Sequence, residues 1–269
     1  MKKNNFLLLS IFTFLILFSC NKEEEVASLT DTQSSLENAA NTAEKGISDA
    51  EDAVSLKSGG ASSCGLGWLE TCAIVTSTGT AFPKTITIDF GTGCEDLLGR
   101  VRTGKIFIHL TDSFSNEGAV RTVTFENFTI NGIGISGSRV STNTGLNSSG
   151  LPTFSRVIDT DITNDGLTFQ RYFNQSITWL SGFDTPACGD NVFSILGEGS
   201  ITRPNGVVVA RSIVQPVFYS YQCPYVISGV VEVYTLQGVF TINYGTGTCD
   251  NLANVTNPNG VTTILTLPG

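Results

Sequence analysis

The sequence predicts an all-β, largely antiparallel domain, and two observations carry that prediction. Between residues 61 and 269, apolar and polar side chains alternate along many short segments, as in 84–90, where Ile86 and Ile88 share one face. Turn sequences rich in Asn and Gly separate these segments, and such turns supply the positive φ that tight hairpins need. We therefore expect a two-sheet β-sandwich of about a dozen strands.

The strands are predicted in chain order from alternation and from β-branched or aromatic content. They cover residues 84–90, 105–111, 120–130, 167–180, 192–202, 206–214, 225–235, 239–244 and 261–267. Within 120–130 the phase slips between Phe125 and Phe128, which predicts a β-bulge near Glu126-Asn127. Hairpin turns are predicted at Asn131-Gly132, Asn164-Asp165-Gly166, Asn205-Gly206 and Asn259-Gly260.

A short internal similarity bears on the number of domains. Residues 87–94 and 241–249 each read as a strand, then a Gly-x-Gly turn, then a cysteine. Such a repeated unit suggests two related halves that divide within 140–190. One enlarged sandwich over 61–269 and two smaller tandem sandwiches remain alternatives.

The N-terminus predicts an exported lipoprotein. Lys2 and Lys3 precede an apolar run over 6–18 that is shorter than the about 20 residues a bilayer span needs, so residues 1–19 read as a signal peptide. The run ends in Leu17-Phe18-Ser19-Cys20, which resembles the lipobox of bacterial lipoproteins. That resemblance implies an acylated Cys20 as the first mature residue and a membrane partner reached through the lipid.

Residues 20–60 then read as an acidic tether. Residues 21–60 contain nine acids, three bases and no aromatic residue. Small and aliphatic side chains recur in this stretch at spacings of three and four, which indicates a helix near 34–57, although a disordered tether is the alternative. The run 21–25 behind the lipidated cysteine resembles the surface-export signal of Bacteroidota lipoproteins. It implies display on the outer surface of the outer membrane, with the periplasmic leaflet as alternative.

The remaining cysteines predict disulfides. Without Cys20, six of the seven cysteines are left, and an even number in an exported chain favours bridges. The internal similarity pairs Cys72 with Cys94 and Cys223 with Cys249, and elimination leaves Cys64 with Cys188. A zinc site is not expected, because the chain has no C-x-x-C motif and a single histidine.

Composition and motifs limit the kinds of partner, catalytic site and metal site that we expect. The net charge is −9 and the pI about 4.6, which argues against nucleic acid as a partner. The single histidine, His109, is predicted on the outward face of its strand, which argues against a His-dependent triad, and no cofactor is expected. Two acidic groups are candidate calcium ligands, although acidic turns explain them more simply. These groups are Asp89, Glu95 and Asp96 around the turn 91–93, and Asp159 and Asp161 before the turn at Asn164.

The aromatic residues offer a binding hypothesis. Tyr219 and Tyr221 alternate onto one face of a strand, Tyr225 follows Pro224, and Trp179 ends an earlier strand. Tyr and Trp expose a flat apolar ring with a polar tip, which suits contact with sugar rings or protein surfaces. Packing in the core and rim of a sandwich is the alternative role.

These observations predict a non-enzymatic, lipid-anchored binding or adhesion module for an extracellular glycan or protein. A secreted-type hydrolase that uses paired carboxylates is one alternative, and a purely structural envelope component is another. The lipobox, the acidic run and the strand-Gly-Thr-Gly-Cys units together resemble Bacteroidota surface lipoproteins of uncharacterised function. That resemblance implies a location but no activity.

Overall fold

The computed structural model describes residues 72–95, 99–185 and 189–267. Every secondary-structure element in these ranges is a strand, and strands take up about 67% of the described residues. Within the same ranges there is no apolar helix long enough to cross a bilayer. The predicted signal peptide, Cys20, the tether and the predicted Cys64–Cys188 bridge lie outside the described residues.

The strands form one 14-stranded antiparallel sheet. They are β1 (Ile74–Ser77), β2 (Lys84–Asp89), β3 (Cys94–Glu95), β4 (Val101–Leu110), β5 (Val120–Ile130), β6 (Ile133–Leu146), β7 (Pro152–Asn164), β8 (Leu167–Ser181), β9 (Val192–Thr202), β10 (Val208–Ser220), β11 (Val226–Thr235), β12 (Gly238–Thr246), β13 (Leu252–Thr256) and β14 (Thr262–Thr266). Each strand pairs with the next along the chain, except that β2 pairs with β4 and the short β3 also pairs with β4. Among the described strands, β1 and β14 are therefore the two ends of this order.

The all-β, antiparallel prediction is confirmed, whereas the two-sheet sandwich is not, because hydrogen bonds join the described strands into a single sheet. Alternation reports only that one face of a strand is buried, and it does not reveal what covers that face. Pairing runs without a break from β6 through β9, across the region where the sequence similarity suggests a division.

The turn predictions are confirmed, with one difference in geometry. Asn131-Gly132 and Asp165-Gly166 have positive φ at both residues, as a two-residue hairpin turn of this hand requires. Only the glycine has positive φ in Asn205-Gly206 and Asn259-Gly260, which lie in longer loops. In each of these loops a residue donates its N–H to the carbonyl four positions on, at 2.9 Å.

The predicted bulge in β5 is also confirmed. The pairing of β5 with β6 shifts register between Thr124 and Phe128, and Asn127 has a φ of 49°. The extra residue lets Phe125 and Phe128 both point to the buried side, where their rings stack at 5.7 Å.

One face of the sheet, here called the inner face, is buried across most of its width. A single cross-strand row from β2 to β12 defines it: Ile86, Ile108, Val123, Arg139, Ile158, Phe173, Gly199, Arg211, Val233 and Phe240. Apolar side chains form one cluster on the inner face of β2–β7 and a second one on β10–β13. The polar and aromatic groups described next lie on β4–β10 of the same face.

Candidate functional site

Aromatic rings gather on one side of the sheet, near the C-terminal ends of β8 and β10 and the start of β9. The rings of Trp179 and Phe193 stack with centroids 5.4 Å apart, and the Phe193 and Tyr221 centroids are 5.8 Å apart. Phe183, in the loop after β8, meets Trp179 edge-on at 6.3 Å. These residues, with Tyr219, are called the aromatic cluster below.

Strand register brings the aromatic cluster together. Trp179 on β8 stands directly opposite Phe193 on β9, and Phe193 stands opposite Tyr219 on β10. Side chains directly opposite each other on antiparallel strands lie about 4.5–5.5 Å apart at Cβ, so the three rings are cross-strand neighbours. Alternation from the buried Ile177 places Trp179 on the inner face.

Asn191 accepts two hydrogen bonds from residues of the aromatic cluster. Its side-chain Oδ1 accepts a hydrogen bond from Trp179 Nε1 at 3.1 Å, and its backbone carbonyl accepts one from the Tyr221 N–H at 3.1 Å. Asn191 is itself buried. Because one residue binds both aromatic positions, the spacing between Trp179 and Tyr221 is fixed by the loop that carries Asn191.

The cluster has a half-buried base and an exposed rim. Trp179 and Phe193 are half-buried, whereas Phe183, Tyr219 and Tyr221 are 41%, 40% and 43% exposed. A rigid set of rings with accessible edges and phenol groups can stack on a flat, amphipathic ligand. Three of the four predicted ligand residues are thus brought together. Among the described residues, no ring contact joins Tyr225 to the cluster.

Comparison with family models, curated proteins and solved structures found no match to this chain.

A second feature, the arginine belt, crosses the inner face beside the aromatic cluster. It consists of one arginine from each of the strands β4, β5, β6, β7, β8 and β10. These are Arg102, Arg121, Arg139, Arg156, Arg171 and Arg211. Arg102 and Arg139 are 0% and 1% exposed. The belt is not evident from the sequence, because each arginine stands alone in its own strand.

The acidic residues within β4–β11 take the opposite, outer face. They are Glu126, Asp159, Asp161, Glu198 and Glu232. The lysine of these strands, Lys105, is also on the outer face, where its Nζ lies 3.5 Å from a Glu126 carboxylate oxygen and 3.7 Å from one of Asp89. Charge is therefore sorted by face in these strands, with every arginine inside and every carboxylate outside.

Burial and aromatic contacts shape the electrostatics of the belt. Burial lowers the pKa of Arg211, and the nearby Tyr244 opposes that shift. The guanidinium of Arg121 lies 4.4 Å from the ring centroid of Phe114, and that of Arg171 lies 5.3 Å from the ring of Phe173. Such cation–π contacts partly offset desolvation, and arginine stays protonated in proteins. The guanidinium groups of β4–β8 and β10 are therefore all on the inner face.

The candidate calcium ligands occupy turn and surface positions. Asp89 accepts a hydrogen bond from the Gly91 N–H at 2.8 Å, and Glu95 follows Cys94 in β3. Asp159 and Asp161 lie on the outer face of β7, and Asp96 lies outside the described residues. In the part of the chain that the structure describes, no group of three His, Cys, Asp or Glu side chains is placed to hold a metal.

Both disulfides predicted from the internal similarity are present. Cys72 and Cys94 are bridged with a Cα–Cα distance of 5.4 Å, and Cys223 and Cys249 with 5.6 Å. Both distances fall within the range of 4.4–6.8 Å that disulfides usually require. Cys94 is packed in the apolar cluster of β2–β7, so the first bridge ties the segment before β1 to the core.

Proposed function

We propose that this chain is a lipid-anchored envelope protein on the outer surface of the outer membrane, and that it binds an extracellular glycan without catalysing a reaction. Acylation of Cys20 would supply the anchor, as the lipobox and the acidic run suggest. The aromatic cluster would supply the contact with the sugar rings. This assignment keeps the domain outside the cell, where its disulfides are stable.

The observation that carries the proposal is the arrangement of Trp179, Phe193 and Tyr221. Their ring centroids follow one another at 5.4 and 5.8 Å, so the cluster offers a continuous aromatic surface rather than isolated rings. Asn191 fixes that surface before any ligand arrives, which lowers the entropy lost on binding. Phenol and amide groups at the rim can donate hydrogen bonds to sugar hydroxyls.

Substitution of the exposed tyrosines tests the glycan site. We expect Tyr219→Ala with Tyr221→Ala to weaken binding to extracellular polysaccharides by about tenfold or more, which corresponds to about 1.4 kcal/mol. Tyr172→Ala is the matched control, because Tyr172 is 51% exposed but lies on the outer face of β8. Equal loss in the control, or no loss in the double variant, would contradict the site.

The anchor has its own test. Mass spectrometry of the protein extracted from membranes should find Cys20 as the first residue with acyl chains attached, and protease added to intact cells should remove the domain. Protection from that protease in intact cells, with digestion only after the outer membrane is opened, would place the protein on the periplasmic leaflet.

We also propose that the single sheet curls over its inner face, which would give the layered packing of the predicted sandwich. Two apolar clusters on the same face support this, since buried apolar side chains need cover from other parts of the protein. Positive φ at Gly137 and Gly197, on β6 and β9, supports it too, because glycine kinks of this kind let strands bend.

A further inference from the structure

We propose that strand β14 pairs antiparallel with β14 of a second copy of this chain, so that a two-fold dimer joins two sheets edge to edge. The proposal goes beyond the glycan site and does not depend on any external ligand. It assigns the end of the sheet a partner that is recognised through main-chain hydrogen bonds, as in other cases of β-strand addition.

The edge of β14 that faces away from β13, here called the far edge, is accessible. In the order of the described strands β14 is the last, and β13 is the strand that pairs with it. All five side chains of β14 are exposed, and Ile264 is 71% exposed. Proteins usually protect such an edge with lysine, proline or a β-bulge. Strand β14 has none of these, because it reads Thr-Thr-Ile-Leu-Thr and keeps a regular register with β13.

Two hydrogen bonds show which main-chain groups point to the far edge. The Leu267 N–H donates to the Asn251 carbonyl at 2.6 Å, and the Asn257 N–H donates to the Val261 carbonyl at 2.9 Å. Hydrogen-bonded and non-hydrogen-bonded pairs alternate along antiparallel strands. The odd-numbered residues of β14 therefore bond to β13, whereas the even-numbered residues direct their N–H and C=O groups to the far edge. These even-numbered residues are Thr262, Ile264 and Thr266.

The sequence of β14 suits pairing with itself. A two-fold axis at Ile264 places that residue opposite Ile264 of the second copy, and it places Thr262 opposite Thr266. These pairs are of the hydrogen-bonded kind, so about six main-chain hydrogen bonds cross the interface. The same register places Thr263 opposite Leu265. Every cross-strand pair then consists of β-branched or aliphatic side chains, which sheets favour.

Charge also favours this edge for contact between two copies. The chain has a net charge of −9, so two copies repel each other on average. Residues 251–269 contain no Asp, Glu, Lys or Arg. Because β13 and β14 both lie within this stretch, two copies can approach through their far edges without placing like charges opposite each other.

A two-fold dimer fixes how the two sheets lie. The axis that relates two antiparallel neighbours runs perpendicular to the sheet, so both inner faces and both aromatic clusters lie on the same side. Pairing of β14 with β1 of another copy would instead be head-to-tail, and it would add copies without limit. Self-pairing of β14 therefore predicts a closed dimer and no larger species.

Charge substitution at Ile264 tests the proposal, because a residue on the two-fold axis meets itself. Sedimentation equilibrium of the full-length chain in a density-matched detergent, with micelles in excess, should show a dimer. We expect Ile264→Lys and, separately, Ile264→Glu to raise the dissociation constant of the dimer by about tenfold or more, because like charges then stand opposite each other. An equal mixture of the two variants should return it to within about threefold of the value for the unsubstituted protein, because opposite charges then meet.

Leu252→Lys is the matched control. Leu252 is 45% exposed and stands opposite Thr266, so a lysine there adds the same charge to the same face, one strand away from the far edge. This variant should keep the dissociation constant within about threefold of that of the unsubstituted protein, because no like charge stands opposite the added lysine in the dimer.

Four results would overturn the proposal. The first is a monomeric unsubstituted protein at about 1 mM chain. The second is a mixture of the two Ile264 variants that dimerises no more tightly than either variant alone, which would show that Ile264 does not meet itself. The third is equal weakening by Leu252→Lys, which would show a general effect of added charge. The fourth is growth into species larger than a dimer, which would indicate head-to-tail contact between β14 and β1.

Discussion

At the scale of single residues, two glycines with positive φ differ in how closely other atoms approach them. Gly137 in β6 has a φ of 96°, and a Cβ there would lie 2.3 Å from the Asp159 carbonyl oxygen. Gly132, in the turn before β6, has a φ of 81° but no atom within 4 Å of such a Cβ. Gly137 therefore has both a positive φ and a close contact with the backbone of β7, whereas Gly132 has only the positive φ.

Alanine substitution at these two positions should separate the cost of the positive φ from the cost of the steric contact. We expect Gly132→Ala to lower the free energy of unfolding by about 1–2 kcal/mol, the usual cost of a left-handed conformation. Gly137→Ala should lower it by a further 1–3 kcal/mol or so, because the methyl group also meets the backbone of β7. Urea denaturation measures both, and equal losses would show that the strands can separate at no cost.

Tyr244 on β12 gives the stability a defined pH dependence. Burial raises its pKa, and the attraction of the nearby Arg211 opposes that rise. A raised pKa means that folding favours the neutral phenol, so the stability is complete below the ordinary tyrosine pKa of about 10 and falls as the pH rises past it. The Tyr244→Phe variant should lose less stability than the unsubstituted protein between about pH 9 and pH 11. Identical pH profiles would contradict this account.

At the scale of elements, the strands that the sequence reveals are those with an apolar inner side. In β2 the inner positions include Ile86 and Ile88, and the alternation is clear. In β6 the inner positions include Arg139, Ser141 and Asn143, so β6 shows no apolar period and was not predicted. Strand β7 was missed for the same reason, because Arg156 and Thr160 point inward. Strands of the arginine belt are therefore hard to predict from the sequence, because polar residues at their inner positions remove the alternation of apolar and polar side chains.

The two disulfides should stabilise the sheet to similar extents. Each bridge closes a loop of comparable length, with sequence separations of 22 and 26. The chain-entropy model assigns about 3 kcal/mol to loops of this size. We expect Cys72→Ser with Cys94→Ser, and separately Cys223→Ser with Cys249→Ser, each to lower the free energy of unfolding by about that amount. Peptide mapping without reduction checks the pairing, and a Cys94–Cys249 link would refute it.

At the scale of the whole molecule, the single sheet and its sorted charges could not be read from the sequence. Alternation and turn residues predict individual strands and hairpins, which are local. The order of the strands depends on pairings between residues that are far apart in the sequence. The row that joins Arg139 to Arg211, for example, follows from four successive strand registers between β6 and β10. Trp179 and Tyr221 were recognised by residue type, but Phe193 joins them only through register.

The fluorescence of Trp179 reports directly on whether the aromatic cluster is the ligand site. The chain has two tryptophans, so Trp68→Phe leaves Trp179 as the only indole reporter. Titration with a polysaccharide that the protein binds should change the Trp179 emission saturably, at the same concentrations as binding measured independently, because a sugar stacked on the cluster alters the surroundings of the ring. Full binding with an unchanged Trp179 spectrum would place the ligand elsewhere and contradict the account.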